Sequence, residues 1–308
     1  VDNGSTDESL ALIRAFAVKH AAKGVRVVEE PRRGASAARN AGVGSAGGDM
    51  IAFTDADCAP DPSWLRALME PFGDPSVFAV AGRVRAAPSS STVELFSALY
   101  TLQSSERPAR YQRWTPWEGG FPTANLAIRR DVFRLLGGFD LAVEIYGEDY
   151  DLCARLYGHK AVIAYTPEAT VRHHHRTTLS GLLRQAFGFG RGHAYLLSRH
   201  AVSGLWLDFP VRSFSLSGFP IPAWIDLASA DKKVLIILLL GMLYRPALAL
   251  LLLYVLWLSV FTSRRARKDG IRVSIGTAVE LAGLLLMKSA AMTAGRWWGA
   301  VKYGALCV

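Results

Sequence analysis

Four apolar residues, Met50-Ile51-Ala52-Phe53, run into a pair of carboxylates, Asp55 and Asp57, one residue apart. Bounded by Gly47-Gly48 and by Pro60, the run reads as a short buried strand. In open α/β sheets, ligands collect where such strands end at their carboxyl edge. Two acidic side chains cannot both be desolvated there without a compensating cation. Mg2+ or Mn2+, which take oxygen ligands and bridge to phosphates, are the natural partners. Asp-x-Asp by itself suits a surface turn equally well, so its neighbours have to decide.

Those neighbours alternate between short apolar runs and helical periodicity as far as about residue 175. Ser5-x-x-Glu8 resembles a capping box ahead of Leu10, Ile13, Phe16 and Ala17 at helical spacing. Val25–Val28 reads as a strand, 35–43 as a helix, 62–72 as another helix and 77–84 as a strand. This alternation predicts an α/β domain with a mostly parallel, Rossmann-like sheet and crossover helices. Glu148-Asp149 opens a segment in which Leu152, Cys153 and Leu156 recur at helical spacing. Both acids therefore fall in a first helical turn, where the dipole favours their ionised form. Asp151 and Arg155, spaced i, i+4, read as a surface pair. Between Ser89 and Trp117, Val93, Phe96 and Tyr100 suggest an amphipathic helix, and Trp114 and Trp117 follow in a Pro- and Gly-containing stretch.

The C-terminal third differs in kind. From Val234 to Val260 the chain is almost wholly apolar, broken only at Arg245-Pro246. About 20 apolar residues span a bilayer, and charge at mid-depth is costly, so two helices hinged at Arg245-Pro246 are expected. A weaker segment, 275–292, is interrupted by Glu280 and Lys288 and followed by Trp297-Trp298, as in an interfacial or second membrane helix. The formal charge of +9 is concentrated beside these segments, at Lys232-Lys233, Arg264-Arg265, Arg267-Lys268 and Arg272. Anionic lipid headgroups fit that placement better than nucleic acid, for which no recognition motif appears. Cys58, Cys153 and Cys307 are scattered and odd in number, so they form neither a disulfide framework nor a zinc spacing.

The motif order closely resembles that of family 2 glycosyltransferases with the GT-A fold. It runs Asp2-Asn3-Gly4-Ser5-Thr6-Asp7, then Gly34-Ala35-x-x-Ala38-Arg39-Asn40-Ala41-Gly42, then Gly48-Asp49 through Asp55 and Asp57, the DXD motif. Asn125 to Arg130, Gly137-Gly138-Phe139-Asp140 and Gly147-Glu148-Asp149-Tyr150-Asp151-Leu152 follow in order, so the resemblance covers residues 1 to about 195. It implies inverting transfer of a sugar from a nucleotide-sugar donor to an acceptor hydroxyl, with a divalent metal, Mg2+ or Mn2+. It assigns Asp57 to the metal, Asp55 to the ribose and Asp2 to the base. Arg39 is assigned to the diphosphate, Asn125 to the donor sugar or acceptor, and Asp149 to the general base, with Glu148 orienting it. His173 or His175 would lie near the metal or diphosphate. Thr123-Ala124 stand where the family usually has Gly before the Asn, which bears on the donor sugar. Gln185-Ala186-Phe187-Gly188-Phe189 lacks the Arg and Trp of processive polysaccharide synthases.

The expected organisation is a GT-A domain over 1–200 that lacks its first strand and helix, because the chain opens inside a motif at Val1-Asp2. A linker or amphipathic region over 201–232 and membrane-associated helices over 233–308 are expected to follow. The expected partners are a nucleotide-sugar donor, a glycan or lipid-linked acceptor and membrane lipids. The expected location is the cell membrane, with the catalytic domain on the cytoplasmic side. Two other readings use the same residues: a sugar-nucleotide nucleotidyltransferase, and a non-catalytic membrane scaffold with a degenerate fold.

Overall fold

A computed structural model describes residues 1–101, 105–115, 119–143, 146–201 and 203–308; Trp117 lies outside the described residues. The first helices are α1 (Ser9–Lys19), α2 (Ala35–Ser45) and α3 (Trp64–Met69), with strands β1 (Met50–Phe53) and β2 (Cys58–Pro60) between the last two. Then come β3 (Val77–Ala86), α4 (Thr92–Tyr100), β4 (Ala109–Tyr111), β5 (Leu126–Arg129), α5 (Arg130–Leu135), α6 (Glu148–Gly158), β6 (Val162–His173) and α7 (Leu179–His200). The capping box at Ser5 does not form. α1 starts at Ser9, whose amide donates to Asp7 Oδ1 at 3.0 Å, while the Ser5 amide is taken by Asp2 Oδ2.

Six strands make the main sheet, in the order β1-β5-β3-β6-β2 with β4 also on β6. The α/β, GT-A-type class holds, but the sheet is mixed rather than mostly parallel. β3 and β6 pair parallel, while β5 runs antiparallel to both β1 and β3, and β2 and β4 run antiparallel to β6. Alternation of strand and helix in a sequence reports element type and leaves strand direction open. Val25–Val28 forms no ladder: a single parallel bridge joins Asp2 to Glu29, because the neighbouring segment is the short turn around Asp2.

Period-two alternation puts the two faces of β1 in different cores. Ile51 and Phe53 join Ala79, Leu126, Ile128 and Ile163 beneath Val132 and Phe133 of α5 and Leu152 and Leu156 of α6. Met50 and Ala52 face the other way, with Val80, Ala127 and Ala164, against Leu68 and Phe72. Helices therefore cover both sheet faces, leaving the strand ends as the open edge.

Residues expected as a linker carry a second sheet instead. β7 (Gly204–Asp208), β8 (Ser213–Ser217) and β9 (Pro222–Asp226) join β10 (Leu306–Cys307) in the order β10-β9-β7-β8. Its closing strand comes from some 80 residues downstream, which no local pattern reveals. Between them lie α8 (Ala230–Leu243), a 3₁₀ turn at Arg245–Leu248, α9 (Ala249–Lys268) and α10 (Ile275–Tyr303). The break falls at Arg245-Pro246, as the sequence predicts. The segments Arg245–Lys268 and Ile275–Tyr303 are long and apolar enough to cross a membrane.

These two helices have different surroundings. α9 exposes Leu252, Leu253, Leu256, Trp257 and Val260. α10 is stitched to its neighbours along its length: Thr92 donates to Glu280, Lys288 to the Tyr100 carbonyl, and Arg296 to Asp226. It also lies backbone-to-backbone on α7, where a Cβ on Gly295 would collide with the Phe187 carbonyl.

Candidate active site

The turn after β1 carries Asp55 and Asp57, and the pairing of β2 with β6 sets Cys58 opposite His173. That register brings His173 Nε2 to 3.5 Å from Asp57 Oδ1. Donor atoms of Asp57, Cys58 and His173 all lie within 4.8 Å of one another. Asp57 Oδ1 and His173 Nδ1 are buried and without a hydrogen-bond partner. Buried polar atoms normally find partners, so an unpartnered oxygen and an unpartnered ring nitrogen on these neighbouring residues mark a place for a ligand. A carboxylate oxygen and an imidazole nitrogen suit a divalent cation, and the Asp57 side chain, 40% exposed, leaves coordination positions open to a substrate. The Cys58 thiol is pushed up to about 11, chiefly by burial, so with no metal bound it is protonated at neutral pH. Sequence spacing gave Cys58 no role, although adjacency to Asp57 was the available signal.

His175 is not among these donors. Its ring lies 4.8 Å from that of His173, and burial, reinforced by His173, pushes its pKa down to about 4. It is therefore a neutral ring packed against His173, outside the group of clustered donors.

Arg39, on α2, joins the two acidic motifs. Its guanidinium donates to Asp55 Oδ1 at 2.9 Å and to Glu148 Oε1 at 2.6 Å, across 16 and 109 residues of sequence. Burial opposes its charge, but the Asp55 and Glu148 carboxylates outweigh that and hold its pKa above the ordinary arginine value. A planar, always-charged fork suits such bridging better than an ammonium would. Glu148, expected to orient Asp149, thus has one carboxylate oxygen bound to Arg39.

Asp149 follows in the first turn of α6. Gly147 at the N-cap has φ 110°, a left-handed conformation that glycine adopts without strain. Asp149 Oδ1 accepts from the Tyr150 amide at 2.9 Å and Oδ2 from the Thr123 amide at 3.3 Å. Desolvation, reinforced by the Glu148 carboxylate, pushes its pKa up to about 7 despite Arg39. An acid near neutrality is poised to accept and release a proton at physiological pH. Glu148 and Asp149 together line a cavity of about 450 Å³.

Two assigned residues have their side chains engaged within the protein. Asn125 is fully buried, with its amide donating to the Arg83 and Ala169 carbonyls at 2.8 and 2.7 Å and accepting from Trp64 Nε1 at 2.8 Å. Every polar group of that side chain is spent on locking β3, β6 and α3 together, so it is a structural residue rather than a sugar ligand. Asp2 is 6% exposed, and its Oδ2 accepts the Gly4 and Ser5 amides. Hydrogen bonds from Ser5, the largest influence, hold its carboxyl below the usual range. Asp2 thus shapes the turn in which it was expected to meet a base.

Asp151 is the residue that local spacing misread. The pair with Arg155 forms at 2.8 Å, yet Asp151 is fully buried and also lies 2.8 Å from His200 Nε2. Burial raises its pKa, but His200 and Arg155 outweigh it and the net shift is downward. It ties α6 to the end of α7, a long-range contact invisible in an i, i+4 pattern.

A mixed sheet flanked by helices, with acidic side chains at the carboxyl end of β1 and at the start of α6, defines the GT-A class of nucleotide-sugar-binding folds. Residues 1–137 match the model of "Glycosyl transferase family 2". The pre-mycofactocin glycosyltransferase of Mycobacterium tuberculosis is 32% identical over 206 residues, which are 65% of this chain and 42% of that protein. A glucosyl-dolichyl phosphate glucuronosyltransferase of Haloferax volcanii is 25% identical over 173 residues, 52% of this chain and 55% of the relative. The chain thus spans about half the length of these curated relatives. Among solved structures, a mannosyltransferase from Pyrobaculum calidifontis in complex with GDP-Man and Mn2+ is similar in fold, with TM-score 0.53 and 20% identity. That match covers 98% of this chain and 76% of the other.

Proposed function

We propose that this chain catalyses inverting transfer of a sugar from a nucleotide-sugar donor to a hydroxyl of a glycan or lipid-linked acceptor. The observation that carries the reading is the Arg39 bridge, which gathers Asp55 and Glu148 around one guanidinium and so links the Asp57–His173 pair to Asp149. Asp57 and His173 would hold Mg2+ or Mn2+. When bound, such a cation neutralises charge on the departing nucleoside diphosphate. Arg39 adds a fixed positive charge on the same side, and Asp55 is placed for the ribose. Asp149 takes the proton of the acceptor hydroxyl as that oxygen attacks the anomeric carbon, and the carbon inverts because attack and departure occur on opposite faces. Mn2+ and GDP-Man in the Pyrobaculum calidifontis structure support a metal and a nucleotide sugar, and the dolichyl phosphate named for the Haloferax volcanii relative supports a lipid-linked acceptor.

The leucine-rich surface of α8 and α9, with Arg264, Arg265, Arg267 and Lys268 at the end of α9, suits insertion among anionic lipids with the catalytic unit on the cytoplasmic side. The domain boundaries that accompany this reading are 1–200 for catalysis and 233–308 for membrane association, with β7, β8 and β9 of the small sheet between them. The deciding experiment incubates membranes containing the chain with a panel of nucleotide sugars and identifies products by mass spectrometry. A glycosylated product with a released nucleoside diphosphate and inverted anomer is expected. Pyrophosphate release would instead indicate a nucleotidyltransferase, and no turnover or binding of any donor would indicate a scaffold.

A further inference from the structure

We propose that the cavity beside Asp149 binds an acceptor saccharide carrying an acidic group, and that Lys288 on α10 is the cation that selects it; this rests on the transfer reaction proposed above. At about 450 Å³ the cavity has the size of a small-molecule site. Asp149 and Lys288 both contribute to its wall, although they come from α6 and α10, 139 residues apart in sequence. Tyr100, Tyr111, Phe121 and Phe189 add aromatic surface to the wall, of the kind that packs against the C–H groups of a sugar. Asp57 and His173 do not contribute to this wall, so the cavity lies on the acceptor side of the base rather than with the diphosphate.

Lys288 is the unusual member. Its ammonium donates to the Tyr100 carbonyl at 2.6 Å and lies 5.8 Å from the Phe96 ring centroid. Among the described residues no carboxylate forms an ion pair with it, whereas buried Arg296 on the same helix is paired with Asp226. An ammonium carries three donors, so two remain for a ligand. A partly buried cation without a counter-ion is costly, and an incoming anion would relieve that cost. Phosphate and carboxylate both meet the requirement. The acid therefore sits either on the acceptor sugar or on the phosphate of its lipid carrier.

The test uses the full chain in phosphatidylcholine nanodiscs and four soluble probes, with binding followed by calorimetry. p-Nitrophenyl β-D-glucoside is the neutral reference, p-nitrophenyl β-D-glucuronide places a carboxylate on the sugar, farnesyl phosphate places the charge on a lipid, and GDP reports the donor side. At least one acidic probe should bind about tenfold or more tighter than the glucoside, as expected of a charge-assisted hydrogen bond. Lys288→Met should remove that preference, Lys288→Arg should keep it, and GDP affinity should not change in either. Which acidic probe gains tells whether the acid is on the sugar or on the carrier. Equal binding of acidic and neutral probes, no binding of either acid, survival of the preference in Lys288→Met, or an equal loss of GDP affinity would each overturn the proposal. Sugar transfer by the unmodified chain is measured separately. Charge preference without turnover of any donor would sink the transferase reading and leave the Lys288 site standing.

Discussion

The two ends of the acidic array are built for opposite tasks. At one end, Asp57 and His173 face each other with unpartnered buried atoms and an open side, an arrangement completed by a cation. At the other, Asp149 is crowded by Glu148, satisfied by two backbone amides and pushed toward neutrality by desolvation, an arrangement suited to holding a proton. Both ends are built on carboxylates; their surroundings separate the roles. Arg39 lies between them, so the positive charge is shared by Asp55 and Glu148 and leaves Asp149 the less stabilised anion.

The sharpest way to break this contrast is Asp149→Asn, which keeps the shape and removes the base. Sugar transfer should fall by at least about 10²-fold, in line with loss of general base catalysis, while donor affinity stays put. If transfer survived, the proton-holding role would belong elsewhere. Asp57→Ala attacks the opposite end: donor binding should weaken about 10- to 100-fold in Mn2+ and lose its dependence on metal, read by titration with and without chelator. An Asp57→Ala protein whose donor affinity still responded to Mn2+ would contradict the cation site. Arg39→Lys tests the link, since an ammonium cannot reproduce both bonds of the fork. A loss of about tenfold in kcat/KM is expected, and unchanged kinetics would show the two ends to be independent.

Protonation gives the smallest effects. Because the Asp149 pKa is raised to about 7, the rate should climb as pH rises from about 6 to 8 and the carboxyl ionises; a flat profile across that window would argue against it. The stability sign is opposite. A carboxyl raised on folding costs nothing below its unfolded pKa near 3.8, and its ionisation penalty grows until pH passes the folded value. Asp149→Asn should therefore melt above the parent by a margin that widens from pH 4 to pH 8, reaching about 1–2 kcal/mol once solvent contact is discounted. A margin that narrowed with pH would reverse the assignment.

Much of this site was legible in the sequence because its motifs are local. β1, the acids that follow it, and the first turn of α6 each depend on residues within a few positions, where strand and helix periodicity apply. Roles that depend on contact across the fold were not legible. Asn125 is a fully engaged structural amide and Asp151 a buried tie to His200. In both cases the deciding partner lies more than 40 residues away, and nothing in the local pattern identifies it.

The sequence by itself determined β1, α2, β3 and the start of α6, the break at Arg245-Pro246, and the apolar character of α9 and α10. Those properties follow from side-chain periodicity, proline geometry and hydropathy, all of which act over short stretches. Tertiary structure alone decided strand direction, the meeting of Arg39 with both acidic motifs, and the different surroundings of two helices that are both apolar enough to cross a membrane. α9 keeps its leucines exposed, whereas α10 spends Glu280, Lys288 and Arg296 on contacts to the rest of the chain. Hydropathy counts how apolar a helix is, but the partner its surface meets is set by packing between segments distant in sequence.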